Sequence, residues 1–159
     1  MPSNTARKQD RTLDLEHFLP YRLSVLSNRV SDAIAQQYSD RFGLSIPEWR
    51  VMAVLGGTAG LSARDVAERT AMDKVQVSRA VESLVRARRV ARTEDAQDGR
   101  ISRLGLTAKG RAIYDEVVPL ALHLEDVFLS ALKPDERRQL DVLMAKLSRQ
   151  ADLLGGGGK

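Results

Sequence analysis

Apolar residues recur along this chain with two different periods. Leu19, Leu23, Leu26, Val30, Ala33, Ile34 and Tyr38 follow one another at steps of three and four, which predicts a first helix of about twenty residues. In "SIPEWRVMAVLGG", Ser45 stands in the N-cap position, Pro47 in the first turn, Glu48 as an early acid, and glycines at the end. That is the pattern of a short, mostly buried second helix. "LSARDVAERT" places Ser62 and Asp65 at capping-box spacing and predicts a third. After a break at Ala71 and Met72, Asp73 caps a fourth helix. Its inner stripe is Val77, Ala80, Val81, Leu84 and Val85, and its outer face is Lys74, Gln76, Ser78, Arg79, Glu82 and Ser83.

The period then drops to two. Val90 to Glu94 and Arg100 to Leu106 read as short strands, with Asp98, Gly99 and Arg100 at the tip between them. Thr107 caps a long helix carrying Ile113, Val117, Leu120, Ala121, Leu124, Val127 and Phe128. Pro134 opens a last helix lined by Leu140, Leu143, Met144 and Leu147. These terminal helices are more apolar than one small domain needs. Residues 1–12, a basic arm, and 155–159 hold little apolar content and are expected to be disordered.

Two helices joined by a short break and followed by a hairpin make a winged helix-turn-helix, here spanning residues 57–106. Val66, Met72, Val77 and Ala80 fall where the angle between the two helices would be buried, and the small Ala67 stands at their close approach.

Composition narrows the partners. The chain has 159 residues, enough for one core with helical extensions. No apolar run reaches the length of a membrane span, and the polar start leads into no signal-peptide core, so a cytoplasmic location is expected. No cysteine is present, which removes disulfides and thiol chemistry. His17 and His123 are too few to favour a metal site. A net charge of +4 favours a polyanion. "GGTAG" and the final "GGGGK" resemble phosphate loops, but neither completes the P-loop pattern, and no catalytic motif is present. No enzyme activity and no catalytic residue is expected.

The outer face of the fourth helix has chemistry suited to a major groove. Gln76 can bond an adenine edge and Arg79 a guanine edge, while Lys74 and Ser78 can reach bases or phosphates. Taken alone, such a face is equally a solvated one. Arg64, Arg86, Arg88, Arg89, Arg92 and Arg103 are candidate phosphate contacts. The stretch from Leu61 to Leu106 contains no aromatic residue, which argues against single-strand or RNA recognition by base stacking.

From Leu61 to Gly110 the sequence resembles the DNA-binding half of the MarR family of transcriptional regulators. Asp98 and Arg100 match the family's wing, and Leu104, Leu106, Thr107 and Gly110 match the strand end that follows it. The chain departs from the pattern at Gly99, where many relatives carry a second arginine. The resemblance implies that Arg100 enters a minor groove with Asp98 steadying it, and that the chain is a homodimer. The fold expected is therefore mainly α with a small β-hairpin wing: a winged helix-turn-helix with a helical dimerisation and ligand region, residues 13–56 and 107–154. A two-fold dimer would read a near-palindromic operator in double-stranded DNA, with recognition helices roughly 34 Å apart.

The resemblance also implies a small-molecule effector, since many relatives bind aromatic carboxylates or their CoA thioesters; no other cofactor is expected. Five of the seven aromatics, Phe18, Tyr21, Tyr38, Phe42 and Trp49, lie in the region of the first two helices. His17, Tyr21, Arg22, Trp49 and Arg50 are the candidate ligand residues: rings for an arene and guanidinium groups for an anion. The same residues read equally well as core and surface charges. The rival function is an architectural or protein-docking winged helix that needs no effector.

Overall fold

The computed structural model describes residues 12–155. Its elements run α1 (Leu19–Phe42), α2 (Ile46–Gly57), α3 (Ala63–Thr70), α4 (Lys74–Arg86), β1 (Val90–Glu94), β2 (Ser102–Leu106), α5 (Ala108–Leu129) and α6 (Pro134–Gly155). The expected arm and tail lie outside the described residues, apart from Thr12 and Gly155, and Gly155 is the last residue of α6.

Helix starts are fixed by local side chains. Ser45 and Glu48 form a full capping box on α2, as do Ser62 and Asp65 on α3; Asp73 accepts from the Gln76 amide and Thr107 from the Gly110 amide. Each satisfies backbone donors that the first turn leaves free, worth about 1 kcal/mol apiece. The turn between α3 and α4 passes through Ala71, whose φ is 53°, and delivers Met72 to the core at 7% exposure.

β1 and β2 pair antiparallel, with Val90 opposite Leu106 and Glu94 opposite Ser102. The second strand starts at Ser102 rather than the expected Arg100. The Ile101 amide donates to the Asp98 carbonyl at 2.9 Å, which folds Arg100 and Ile101 into the tip. Leu61 forms a bridge to Leu104 that the sequence did not announce, because a single residue carries no period.

The core gathers Val51, Met52 and Leu55 of α2, Val66 of α3, Val77, Val81 and Leu84 of α4, Val90, Leu104, and Ile113 and Val117 of α5. α2, expected to belong with the dimerisation region, packs against α3, α4 and β2 as well as against α1 and α5. The core is therefore continuous across residue 57. Where α2 meets α5, a Cβ on Gly56 would collide with the Tyr114 ring.

α1 buries only Tyr38, and α6 buries nothing. Leu19, Tyr21, Leu23 and Leu26 on α1, Leu122, Val127 and Phe128 on α5, and Leu143, Met144 and Leu147 on α6 all stay exposed.

Candidate nucleic-acid interface

α4 is held by its ends. At its start Asp73 caps the helix. At its end the carbonyls of Ala87, Arg88 and Arg89 receive, in turn, the Lys109 ammonium at 3.0 Å, the Thr107 hydroxyl at 2.7 Å and the Thr107 amide at 3.0 Å. Lys109 thus sets a cation at the negative end of the α4 dipole. The close approach requires glycine at position 110, since an added Cβ would fall against the Arg89 carbonyl oxygen. This clamp between α4 and α5 escaped the sequence reading, although its Thr107 and Gly110 were both noted there.

Lys74, Gln76, Ser78 and Arg79 are all exposed. Among the described residues, Lys74, Arg79 and Arg86 make no salt bridge or side-chain hydrogen bond, so their charges are available at the surface. A second hold on α4 comes from Glu48, whose Oε1 accepts the Ser83 hydroxyl at 2.5 Å while Oε2 accepts the Ser45 amide at 2.7 Å. Burial pushes the Glu48 carboxyl upward, but the Ser45 amide, the Ser83 and Ser45 hydroxyls and Arg89 together bring it below its ordinary value. Glu48 therefore stays charged and bonded to the helix.

The hairpin tip is organised by two aspartates. Asp95 Oδ1 accepts the amides of Gln97 and Asp98 at 2.9 and 3.0 Å, and its Oδ2 accepts Arg103 Nε at 2.6 Å. The Arg103 guanidinium, then the two amides, bring the Asp95 carboxyl down to about 2. Asp98 Oδ1 accepts both the amide and the Nε of Arg100 at 3.1 Å, and the Arg100 guanidinium holds the Asp98 carboxyl below its ordinary value. Arg100 still leaves 91% of its side chain in solvent. The tip thus presents a guanidinium that is oriented yet uncovered. Gly99 has no left-handed φ, and an added Cβ would meet only the Glu94 carboxylate, at 4.0 Å, so the backbone there does not demand glycine.

Two of the arginines named as phosphate contacts are engaged inside the fold instead. Arg103 joins Asp95 to Asp65, 3.7 Å from its Nη1, and donates to the Gly60 carbonyl, fastening the hairpin to the start of α3. Arg89 donates to the Phe42 carbonyl at 2.5 Å, and its buried Nε has no partner among the described residues. Arg64 is exposed and pairs with Glu68 at 3.1 Å. Arg86, Arg88 and Arg92 are exposed.

The five candidate ligand residues are not brought together in one chain. Trp49 and Arg50 line a cavity of about 140 Å³ with Ser31, Ile34, Tyr38 and Ile46. Trp49 lies between Tyr38 and Tyr114, with ring centroids at 5.6 and 6.0 Å. Arg50 donates to the Ser31 hydroxyl at 3.3 Å. Burial pushes the Tyr38 hydroxyl up to about 12 against the opposing pull of Arg50. Tyr21 and Arg22 line a separate groove on α1 with Leu23 and Leu26. Tyr21 precedes Ser31 by ten residues on one helix, which is about 15 Å. His17 lines neither space; it pairs with Asp14 at 2.7 Å in an exposed turn. Within one chain, α1 holds Tyr21 and Arg22 apart from the space lined by Trp49 and Arg50.

Residues 42–101, from the end of α1 to the hairpin tip, match the family model described as MarR family. That match, with the relatives that follow, supports a MarR-family regulator. Over 107 residues it is 29% identical to the transcriptional regulator BilQ of Clostridium symbiosum, an alignment covering 67% of this chain and 74% of that one. It is 27% identical over 131 residues to a transcriptional repressor of Mycobacterium tuberculosis, covering 82% and 91% of the two. The structure of BpsR from Bordetella bronchiseptica superposes with a TM-score of 0.72 at 29% identity, covering 82% of this chain and 98% of that one. That structure is described in terms of the regulation of DNA binding by 6-hydroxynicotinic acid. The matched segment contains α4 and the wing tip that carries Arg100. Among the described residues, no helix is long and apolar enough to cross a membrane, and no group of three or more potential metal ligands occurs.

Proposed function

We propose that this MarR-family regulator binds double-stranded DNA as a homodimer and represses transcription in the cytoplasm until a single-ring aromatic carboxylate releases it. One observation carries the reading: cations on α4 that are unpaired among the described residues, and an uncovered, oriented Arg100, are set on supports fixed from several sides. Lys74, Gln76, Ser78 and Arg79 face the major groove, and Arg100, steadied by Asp98, enters the flanking minor groove, whose negative potential deepens as it narrows. Arg64 and Arg86 add backbone contacts.

The dimer follows from what one chain leaves bare. α6 has 22 residues and buries none of them, and an isolated helix of that kind is marginal in water. The exposed apolar side chains of α1, α5 and α6 supply the face a second copy would cover. Residues 13–56 and 107–154 would then form the dimerisation and ligand region, with α2 shared with the lobe. A two-fold pair sets two α4 helices about one DNA turn apart and asks for a near-palindromic operator.

The effector reading rests on the cavity at Trp49 and Arg50. An apolar cavity of about 150 Å³ holds a benzene ring, so a volume near 140 Å³ suits one ring. Arg50 would grip the carboxylate in a fork. A CoA thioester would have to extend into solvent or across the dimer, where His17, Tyr21 and Arg22 could meet it. Coupling of about 1 to 3 kcal/mol between this site and DNA is the usual scale. BpsR, whose DNA binding is described as regulated by 6-hydroxynicotinic acid, is a precedent for the ligand class.

The test is selection from a random duplex pool, followed by anisotropy titration with single-ring aromatic acids and their CoA esters. A selected duplex should bind at least about 10³-fold tighter than random DNA, two chains per duplex, with a ring acid weakening it. Equal affinity for all duplexes would overturn the reading. Specific binding insensitive to every acid would instead leave an effector-independent winged helix.

A further inference from the structure

One apolar side chain on α4 is turned the wrong way for packing. At 100° per residue, the buried Val77, Ala80, Val81 and Leu84 cluster about one direction, and Val75, Arg79, Glu82 and Arg86 lie within about 30° of the opposite one. Val75 is therefore near the centre of the outward face, at 58% exposure, while every other apolar residue of α4 is buried or half-buried. Gln76 sits about a quarter-turn away from that line.

Val75 also stands in the first turn of α4, the end of a recognition helix that comes nearest the base edges. Its β-branch confines it to essentially one rotamer in a helix, so it meets a partner already ordered. In the major groove, the apolar feature on a base edge is the thymine methyl group. Arg79 lies one turn later on the same line, about 6 Å along the axis, and its fork fits guanine O6 and N7. Base pairs are 3.4 Å apart, so 6 Å spans one or two of them.

We infer that Val75 is a specificity-determining residue: it packs against the methyl of a thymine one or two base pairs from the guanine read by Arg79. Gln76, off that line, contributes less to base choice. The inference rests on the DNA-binding reading above and refines it.

The experiment takes the full chain and a duplex selected from a random pool, and replaces each thymine of one half-site singly with deoxyuridine, which removes only the methyl. One position, within two base pairs of a guanine, should weaken binding about three- to fivefold, the scale of one buried methyl. Val75→Ala, an exposed change whose fold is checked by circular dichroism, should bind the thymine and deoxyuridine duplexes equally there. A flat scan, a half-site with no thymine at that place, or a Val75→Ala chain that keeps the sensitivity would each overturn the inference while leaving DNA binding intact. Failure to select any duplex would overturn the functional reading and this inference together.

Discussion

Replacing Arg100 with alanine separates a DNA contact from a structural one. The Arg100 side chain is 91% exposed and its salt-bridge partner among the described residues is Asp98. Its removal leaves no cavity, so stability should change by less than about 0.5 kcal/mol. Its effect on DNA should be large and of one kind. Each neutralised phosphate contributes about 0.9 to the slope of log K against log salt, so two wings on a dimer contribute about 1.8. Between about 50 and 200 mM salt, wild type should then lose about twelvefold more affinity than Arg100→Ala. Fluorescence anisotropy on one selected duplex, at five or so salt concentrations, measures both slopes. Arg103→Ala is the control: Arg103 is tied to Asp95 and Asp65, so its loss should lower the melting temperature and leave the slope unchanged. Equal slopes for wild type and Arg100→Ala would refute the wing assignment.

Three further outcomes follow from the packing and the charges. Gly110→Ala should lower stability by about 1 to 3 kcal/mol, read as a drop in melting temperature, because its Cβ meets the Arg89 carbonyl; an unchanged melt would contradict the clamp. Asp95 has a carboxyl brought down to about 2 in the fold, against an ordinary value near 3.9, so its contribution is complete above the unfolded value and vanishes as pH falls through the folded one. The melting-temperature gap between wild type and Asp95→Asn should therefore close as pH drops from about 5 toward 2, and a constant gap would show that the charge on Asp95 is not the cause. Arg50→Met should leave DNA affinity within about twofold of wild type while weakening the response to a single-ring acid about tenfold or more, the scale of one lost charge-assisted contact; an undiminished response would move the effector site elsewhere.

What the sequence disclosed depended on how far a signal reaches along the chain. Capping at Ser45, Ser62, Asp73 and Thr107 acts over three residues, and the inner stripe of α4 repeats within seven, so both were readable before the fold was known. The partners of Arg89 and Arg103 are set by tertiary approach: Phe42 lies 47 residues away from Arg89, and Gly60 lies 43 from Arg103. A basic residue in sequence says nothing about whether its charge is already in use, and Arg89 and Arg103, expected at phosphates, have partners within the fold. Val75, which the sequence pattern assigned to neither face of α4, is exposed because its phase sets it opposite the buried stripe. Gly110 matched a motif, but the close approach of Arg89 that excludes any side chain there appears only in three dimensions. The ligand residues divided because similar residue types, rather than a common helix face, had grouped them.

In the proposed function, two α4 helices of a paired molecule read one duplex. A hydroxyl-radical footprint on the selected duplex, with the mass of the complex measured alongside, tests this directly. Two protected segments centred about one helical turn apart, and a mass of two chains per duplex, are the predicted result. A single protected segment, or one chain per duplex at saturation, would contradict it.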